Sequence, residues 1–418
     1  MLLNKVNVTF LCFALTTVAC ALSQTCSLNV MANHDFKEHP AFNSLAPVRS
    51  SIHEAVAFVE EIVSSPNAPL DHVFTLCIFG PHVVARAVHV DHRATPASPA
   101  RIIWLGFDAS ISGAIQLQSW RQVAGATYSV AVPPSFTAPT IRDLWPAGKA
   151  GQPPRRASRS TLESPVRILG NMTPWQSSSG VVGFVTDRDV PAEWQHNTQA
   201  IEFVWPIVVA NWIEPRCCVR SVDGRNITLA DPCGALLVKR NVYAKTLAPP
   251  VRVEAVPTAA PPAGSFYHDS ATRTLLYTLL PDETAADLEA SSFTTAMESL
   301  LVLSNASSHS WVNVSFQFST WSQPNSPAGY VDTQSCVYMA DSAGNAAEPP
   351  AAVTITLSTD IEILGCAFSA IGSPYALLAG SSSSRVNITH SHFYDLSGGA
   401  VRACPHPFHG SLRSTSVF

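Results

Sequence analysis

Near the end of the chain, residues 361–379 and 386–404 lie on one another at a constant offset of 25 residues without a gap. IEILGCAF sits over VNITHSHF, so Ile361 meets Val386, Ile363 meets Ile388 and Phe368 meets Phe393. Each copy alternates apolar with small or polar residues and then enters a Gly/Ser-rich corner, the pattern of a strand, a turn and a strand. A strand pattern that repeats with a period in the twenties predicts a solenoid. A single rung cannot bury its own apolar face, so rungs stack about 4.8 Å apart and share a core. The chain ends 14 residues after Cys404, so the repeat also predicts an incomplete last rung or a partner that covers it.

At 418 residues the chain exceeds what one ordinary core serves, which points to two domains or one elongated domain. Charged residues make up 13%, well below the usual share of about 25%. Low charge with many Ser, Thr, Val and Pro favours strands and long loops. A net charge of −5 gives no reason to expect a nucleic-acid partner. The one basic cluster, Arg155, Arg156 and Arg159, reads as a solvated loop.

Residues 1–21 read as a secretory leader, with Lys5, an apolar run and small residues at Ala19 and Ala21. No later run is long and uninterrupted enough to span a membrane, and an extracellular location is expected. Eight cysteines remain after the leader, and in a secreted chain an even set predicts disulfides, with 105 possible pairings. Cys217 and Cys218 have no partner pair at zinc-site spacing, so no metal is expected. Acceptor triplets for N-glycosylation occur at Asn171, Asn226, Asn305, Asn313 and Asn387. Asn313 and Asn387 lie in strand-like runs, so modification there requires outward side chains.

SIHEAVAFVEEIV, residues 51–63, is the one convincing helix, suited to capping the first rung of a solenoid. Early strands follow from 73 to 130, and a Pro/Arg/Ser-rich loop or insertion from 133 to 160. A second set of strands runs to 247 and includes VVGFV, AIEFVW, CCVRSV and ALLVKRNVY. Trp194, Trp205 and Trp212 there read as packing residues. A proline-rich junction ends near 262, then FYHDSATRTLLYTLL predicts a hairpin, and rung-like alternation resumes near Glu298. The expected division is a leader at 1–21, a cap with first rungs at 22–132, an inserted β-rich segment at 133–262, and the main rungs at 263–418.

GSFYHDSATRTLLYTLLP, MESLLVLSNAS, FSTWSQPNSPAGYVDTQS and FYDLSGGAV together resemble secreted right-handed parallel β-helix proteins of the pectin-lyase-like type, nearest glycoside hydrolase family 141 and its relatives. IEFVWPIVVANWIEPRCCVRSVDGRNITLADPC is similar to the insertion that precedes the main stack in that group. The resemblance implies an all-β, right-handed parallel β-helix and carboxylates placed on successive rungs. Asp395 best matches such a carboxylate. The superfamily carries glycosidases, lyases, epimerases and adhesins, so the fold alone does not name an activity.

Glycosidic hydrolysis needs two carboxyl groups, roughly 5–10 Å apart. One rung before Asp395 the register places Ala370, and Asp332 lies off register. Any partner is therefore expected beyond the visible rungs. Asp395 reads either as a catalytic or sugar-binding residue or as an Asx-type corner residue. Trp321 and Tyr330 can stack on a sugar, with Asp332 and His392 as further substrate-binding candidates. His390 and His392 form H-x-H on a strand, which puts both on one face. No nucleophile elbow, phosphate loop or dinucleotide motif is present, and no cofactor is expected. These residues predict a secreted carbohydrate-active protein of glycosidase type with a polysaccharide or glycan partner, expected to have little or no hydrolytic activity at this length because the rung for a second carboxylate is missing, or alternatively a non-catalytic carbohydrate-binding surface protein.

Overall fold

The structure is a computed structural model that describes residues 26–31, 48–64, 73–91, 101–146, 155–206, 213–240, 247–334, 337–380 and 382–403. The leader, Trp212, Cys336 and Cys404 lie outside the described residues. The protein is all-β, built on two parallel sheets that stack in the register of a parallel β-helix. The first sheet runs through Leu28–Met31, Val73–Val83, Arg101–Ser112 and Ser307–Ser319. It continues through Thr359–Leu364 with Ala367–Ile371, and through Ser384–Thr389 with His392–Leu396. The second contains Val88–Val90, Leu301–Ser304, Ala351–Thr356, Tyr375–Ala379 and Gly399–Ala403, also parallel.

The 25-residue offset is the observed register: Ile361 pairs with Val386, Ile363 with Ile388, and Phe368 with Phe393. Left-handed backbone recurs at equivalent places on successive rungs. Asn313, Gly365 and His390 have φ of 55°, 63° and 53°, and Phe318, Ala370 and Asp395 have 60°, 55° and 49°. Each rung is bent at the same two points, and side chains other than glycine tolerate the cost because neighbouring rungs hold the backbone there. His390 occupies the first bend and His392 begins the next strand. The H-x-H pair therefore straddles a corner and does not share one strand face, contrary to the sequence reading.

Inside the stack, Trp104 lies flat on Trp311 at 4.7 Å, and Phe316, Phe368 and Phe393 form a column with spacings of 5.1 and 4.7 Å. Burying each such ring contributes about 1.5–3 kcal/mol. The expected helix forms at Ile52–Ser64, with the Ser51 hydroxyl accepting from the Glu54 amide at 3.2 Å. Its Ile52, Ala55, Val56 and Val59 are buried in the solenoid core, which explains why this stretch carries helical spacing.

The chain leaves the stack after Ser112 and rejoins it at Leu301, a wider excursion than the 133–262 segment read from the sequence. The hairpin Ser265–Asp269 with Thr274–Thr278 forms as expected, but it pairs with Thr127–Ala131 and belongs to the excursion. A seven-stranded antiparallel sheet makes up much of the rest. Two local readings are corrected there. ALLVKRNVY, read as a strand, begins inside the helix Cys233–Arg240, where buried Cys233, Leu236 and Leu237 repeat at helical spacing. The proline-rich junction contains the strand Arg252–Glu254, paired on both sides.

The basic cluster is also corrected, because Arg155, Arg156 and Arg159 all make ion pairs. Arg159 is buried between Glu202 and Glu254, with Arg142, Arg216 and Arg252 completing the network. The surrounding arginines hold both carboxyls well below the usual carboxylate range, outweighing the desolvation that opposes it. Trp194 and Trp205 are buried packing residues, as expected. Among the described residues two disulfides join Cys26 to Cys77 and Cys217 to Cys233, while Cys218 and Cys366 are buried thiols. Among the described residues no helix is long and apolar enough to cross a membrane.

Candidate functional site

Three rungs end side by side where the first sheet turns toward the second. Ser319 pairs with Ile371, and Ile371 with Leu396, so Thr320, Gly372 and Ser397 form the next column. Gly372 leaves a notch in that column. Asp143, from the excursion, fills it: its Oδ2 accepts from the Thr320 hydroxyl at 2.6 Å, and a Cβ on Gly372 would overlap its carboxylate. Trp145 packs against Phe318 and Ala370 and donates its indole N–H to Oδ2 of Asp395 at 2.7 Å.

Arg156 joins these parts. Its Nη1 lies 3.2 Å from Oδ1 of Asp143 and its Nε 3.2 Å from Oδ1 of Asp395. Nη2 donates to the carbonyls of Ile371 and Asp395 at 2.8 and 3.0 Å, and the guanidinium lies over the Trp145 ring. Asp395 thus has a carboxylate neighbour, but it arrives from the excursion and not from another rung. Both oxygens of Asp395 face Trp145 and Arg156 instead of the amides of its own corner. The Arg156 guanidinium pairs with both carboxylates, of which Asp395 is the more exposed. The arrangement clamps the excursion to the solenoid.

The next residue in the chain opens a second cluster. Trp321 meets Tyr330 and Tyr338 edge-on at 5.1 and 5.4 Å, with the two tyrosines 6.0 Å apart. Asp332 stands across the strand pairing from Tyr338. This segment reaches the outer face of the second sheet. Leu377 points into the core, so Arg402, paired with the following Leu378, points outward by strand alternation. Arg402 donates to the Tyr375 hydroxyl at 2.9 Å and pairs with Glu348 at 3.2 Å.

Asp332 is 5% exposed and its Oδ1 has no hydrogen-bond partner. Burial pushes its carboxyl up to about 6, against the opposing pull of Tyr330, Arg240 and Arg402. Glu298 accepts from the Ser322 amide at 3.0 Å, and the Tyr338 hydroxyl is pushed up by burial and, less strongly, by the Glu298 charge. Among the described residues no ion pair involves Glu298. Trp321, Tyr338 and Asp332 are buried and Tyr330 is half-buried, so the cluster combines a carboxyl that is half protonated near pH 6 with one partly open ring.

The structure therefore brings Trp321, Tyr330 and Asp332 together and leaves His392 apart, exposed on the first sheet. Asp143, Trp145, Arg156, Glu298, Tyr338 and Arg402 were missed. The run Arg142-Asp-Leu-Trp145 inside a proline-rich stretch was the one available signal for the clamp, since buried Leu and Trp in a supposed loop require a partner. Asn171, Asn226, Asn313 and Asn387 are exposed, and Asn305 is half-buried. A cleft of about 450 Å³ between the excursion and the turn at Asn325 is lined by Gln199, Arg220, Asp231, Asn325 and Cys218. Burial pushes the Cys218 thiol far above its ordinary range, which removes it as a nucleophile.

No family model matches the chain, and no curated protein matches it by sequence. Among solved structures it is similar to one titled "Glycoside hydrolase", at 15% identity and a TM-score of 0.67, over 91% of this chain and 67% of that one. A second, the structure of XylC with xylose, aligns at 10% identity and a TM-score of 0.20, over 90% of this chain and 63% of that one. The first likeness shows a shared fold. At its score the second carries no argument.

Proposed function

We propose that this is a secreted, carbohydrate-active β-helix protein of glycosidase type, in which Asp332 donates the proton and Glu298 serves as the base or nucleophile. Half-buried Tyr330 is the ring offered to a sugar, with buried Trp321 and Tyr338 packed against it, and Asp395 holds the excursion in place. The observation that carries this reading is the buried Asp332 carboxyl, with one unpartnered oxygen, which lies opposite Tyr338, a ring whose hydroxyl also feels the Glu298 charge; among the described residues no ion pair involves Glu298. The shared fold with a structure titled as a glycoside hydrolase supports it. Two disulfides and four exposed acceptor asparagines support a secreted glycoprotein.

In the forward step Asp332, protonated below about pH 6, gives its proton to the glycosidic oxygen as the bond to the anomeric carbon lengthens. Charge that develops on the sugar faces the Glu298 carboxylate. Arg402, held by Tyr375 and Glu348, stays close enough to limit how far the Asp332 carboxyl rises.

Incubation of the purified chain with xylan-type and fucosylated oligosaccharides tests this. Turnover should fall at least a hundredfold in Asp332→Asn and Glu298→Gln, with the basic limb of the wild-type profile near pH 6. Binding that depends on Trp321 without any turnover would replace the glycosidase reading with a binding module. Turnover that survives Asp332→Asn would remove Asp332 from the mechanism.

A further inference from the structure

A second polar cleft lies on the first sheet, away from the aromatic cluster. On the strand Arg101–Ser112, pairing with Ser307–Ser319 jumps from Leu105 opposite Val312 to Ala109 opposite Val314. Gly106, Phe107 and Asp108 therefore oppose the single residue Asn313, and the extra backbone bulges outward. Phe107 turns to stack on Phe79 at 5.1 Å, and Asp108 takes a left-handed φ of 48°. Gly106 is required at this point, because a Cβ there would overlap the Asn313 carbonyl oxygen.

The bulge leaves a cleft of about 340 Å³ lined by Asp108, Ala109, Ser110, Asn313, Ser315 and Gln317. On the next rung Ser315 and Gln317 pair with Ala367 and Ser369, whose small side chains keep that rim low. Two hydroxyls, two carboxamides and a carboxylate dominate the lining, and no cation is among these residues. Such a lining satisfies a neutral ligand rich in hydroxyls, and the volume sits at the lower end of small-ligand sites, about 300–1,000 Å³.

Asn313-Val314-Ser315 is itself an acceptor triplet, and both residues that define it line the cleft. Asn313 is exposed, and its Nδ2 donates to the Gly106 carbonyl at 2.9 Å. An N-linked carboxamide keeps one hydrogen, so this bond survives attachment. We propose that Asn313 carries an N-linked glycan whose first sugar is seated in this cleft and closes the gap that the bulge opens. The donor is a polyisoprenyl-diphosphate oligosaccharide. Asn313 Nδ2 attacks its anomeric carbon, the N–C bond forms, the C–O bond to the diphosphate breaks, and the displaced amide proton passes to a base of the host transferase.

The test is expression of the full chain in a eukaryotic secretory host, followed by peptide mapping and deglycosylation with peptide N-glycosidase in the native and unfolded states. Asn313 is expected to be occupied, and its glycan to be released from native protein at least tenfold more slowly than the glycan on exposed Asn226. Asp108→Ala should keep the glycan and bring its native release to the Asn226 rate. Ser315→Ala, which retains the Asn313 bond to Gly106, should lose one glycan mass. An unmodified Asn313, or native release as fast as at Asn226, would overturn the proposal.

Discussion

Trp145 donates its indole N–H to the Asp395 carboxylate at 2.7 Å while its ring rests on Phe318 and Ala370, the two residues equivalent to Asp395 on the preceding rungs. One side chain from the excursion thus spans three successive rungs at a single column. Asp395→Ala should cost about 1–3 kcal/mol, because it leaves the partly buried Arg156 guanidinium and the Trp145 indole without this acceptor. Asp395→Asn, which keeps an oxygen for Trp145, should cost less. Urea denaturation midpoints measure both, and equal, negligible effects would show that the clamp does not contribute.

Gly372 is the notch that admits Asp143. Gly372→Ala would place a methyl group against the Asp143 carboxylate and within 2.7 Å of the Ser319 carbonyl oxygen. The expected loss is about 1–3 kcal/mol, as for other overpacked sites. Asp143→Ala should relieve the clash, so the double variant is predicted to be less destabilised than the sum of the two single variants. Additive losses would argue against this packing.

Glu202 is buried with Arg142, Arg159 and Arg216 around it. Glu202→Gln should destabilise by about 3–5 kcal/mol, since it leaves buried guanidinium charge uncompensated. The loss should be read by chemical denaturation, with the circular dichroism of the folded variant checking that the sheet persists. A change below 1 kcal/mol would mean that Glu254 alone compensates the arginines.

Two buried groups titrate in the same window with opposite effects on stability. The Asp332 carboxyl is raised to about 6, so between about 4 and 6 the folded state binds more protons than the unfolded chain. Its contribution is complete below that window and is lost as pH rises through 6. His268 is lowered to about 4 by burial, and its Nδ1 accepts from the Ile141 amide at 3.0 Å. Here the unfolded chain binds more protons between about 4 and 6.5, so this contribution is complete at neutral pH and is lost as pH falls. The two slopes oppose one another, each worth roughly 3 kcal/mol across its window. Stability measured from pH 4 to 7 should therefore rise more steeply with pH in Asp332→Asn than in the wild type. An unchanged slope would remove Asp332 as a buried titrating acid.

Much of the solenoid was legible because its rule is local and repeats. The Ile361/Val386 and Phe368/Phe393 pairs follow from a constant offset, and the cap helix from apolar spacing at Ile52, Ala55, Val56 and Val59. Short amphipathic segments in the excursion were less legible. CGALLVKR suits a strand or a helix by composition, and its contacts in the excursion core together with the Cys217–Cys233 bond accompany the helix. Arg159 looked solvated because a charge run carries no mark of the carboxylates it will meet, and Glu202 and Glu254 lie 43 and 95 residues away.

By itself the sequence determined the parallel stack, its 25-residue register and the placing of Asp395 over Ala370, because apolar alternation must point inward for a rung to bury its core. The tertiary structure decided what surrounds that residue. Trp145 and Arg156 reach it from more than 200 residues earlier in the chain, and Trp321, Tyr338 and Asp332 gather where a long loop meets the outer face of the second sheet. A repeat specifies neighbours along the stack, whereas an excursion is placed by shape, buried charge and hydrogen bonds that exist only once both surfaces have formed.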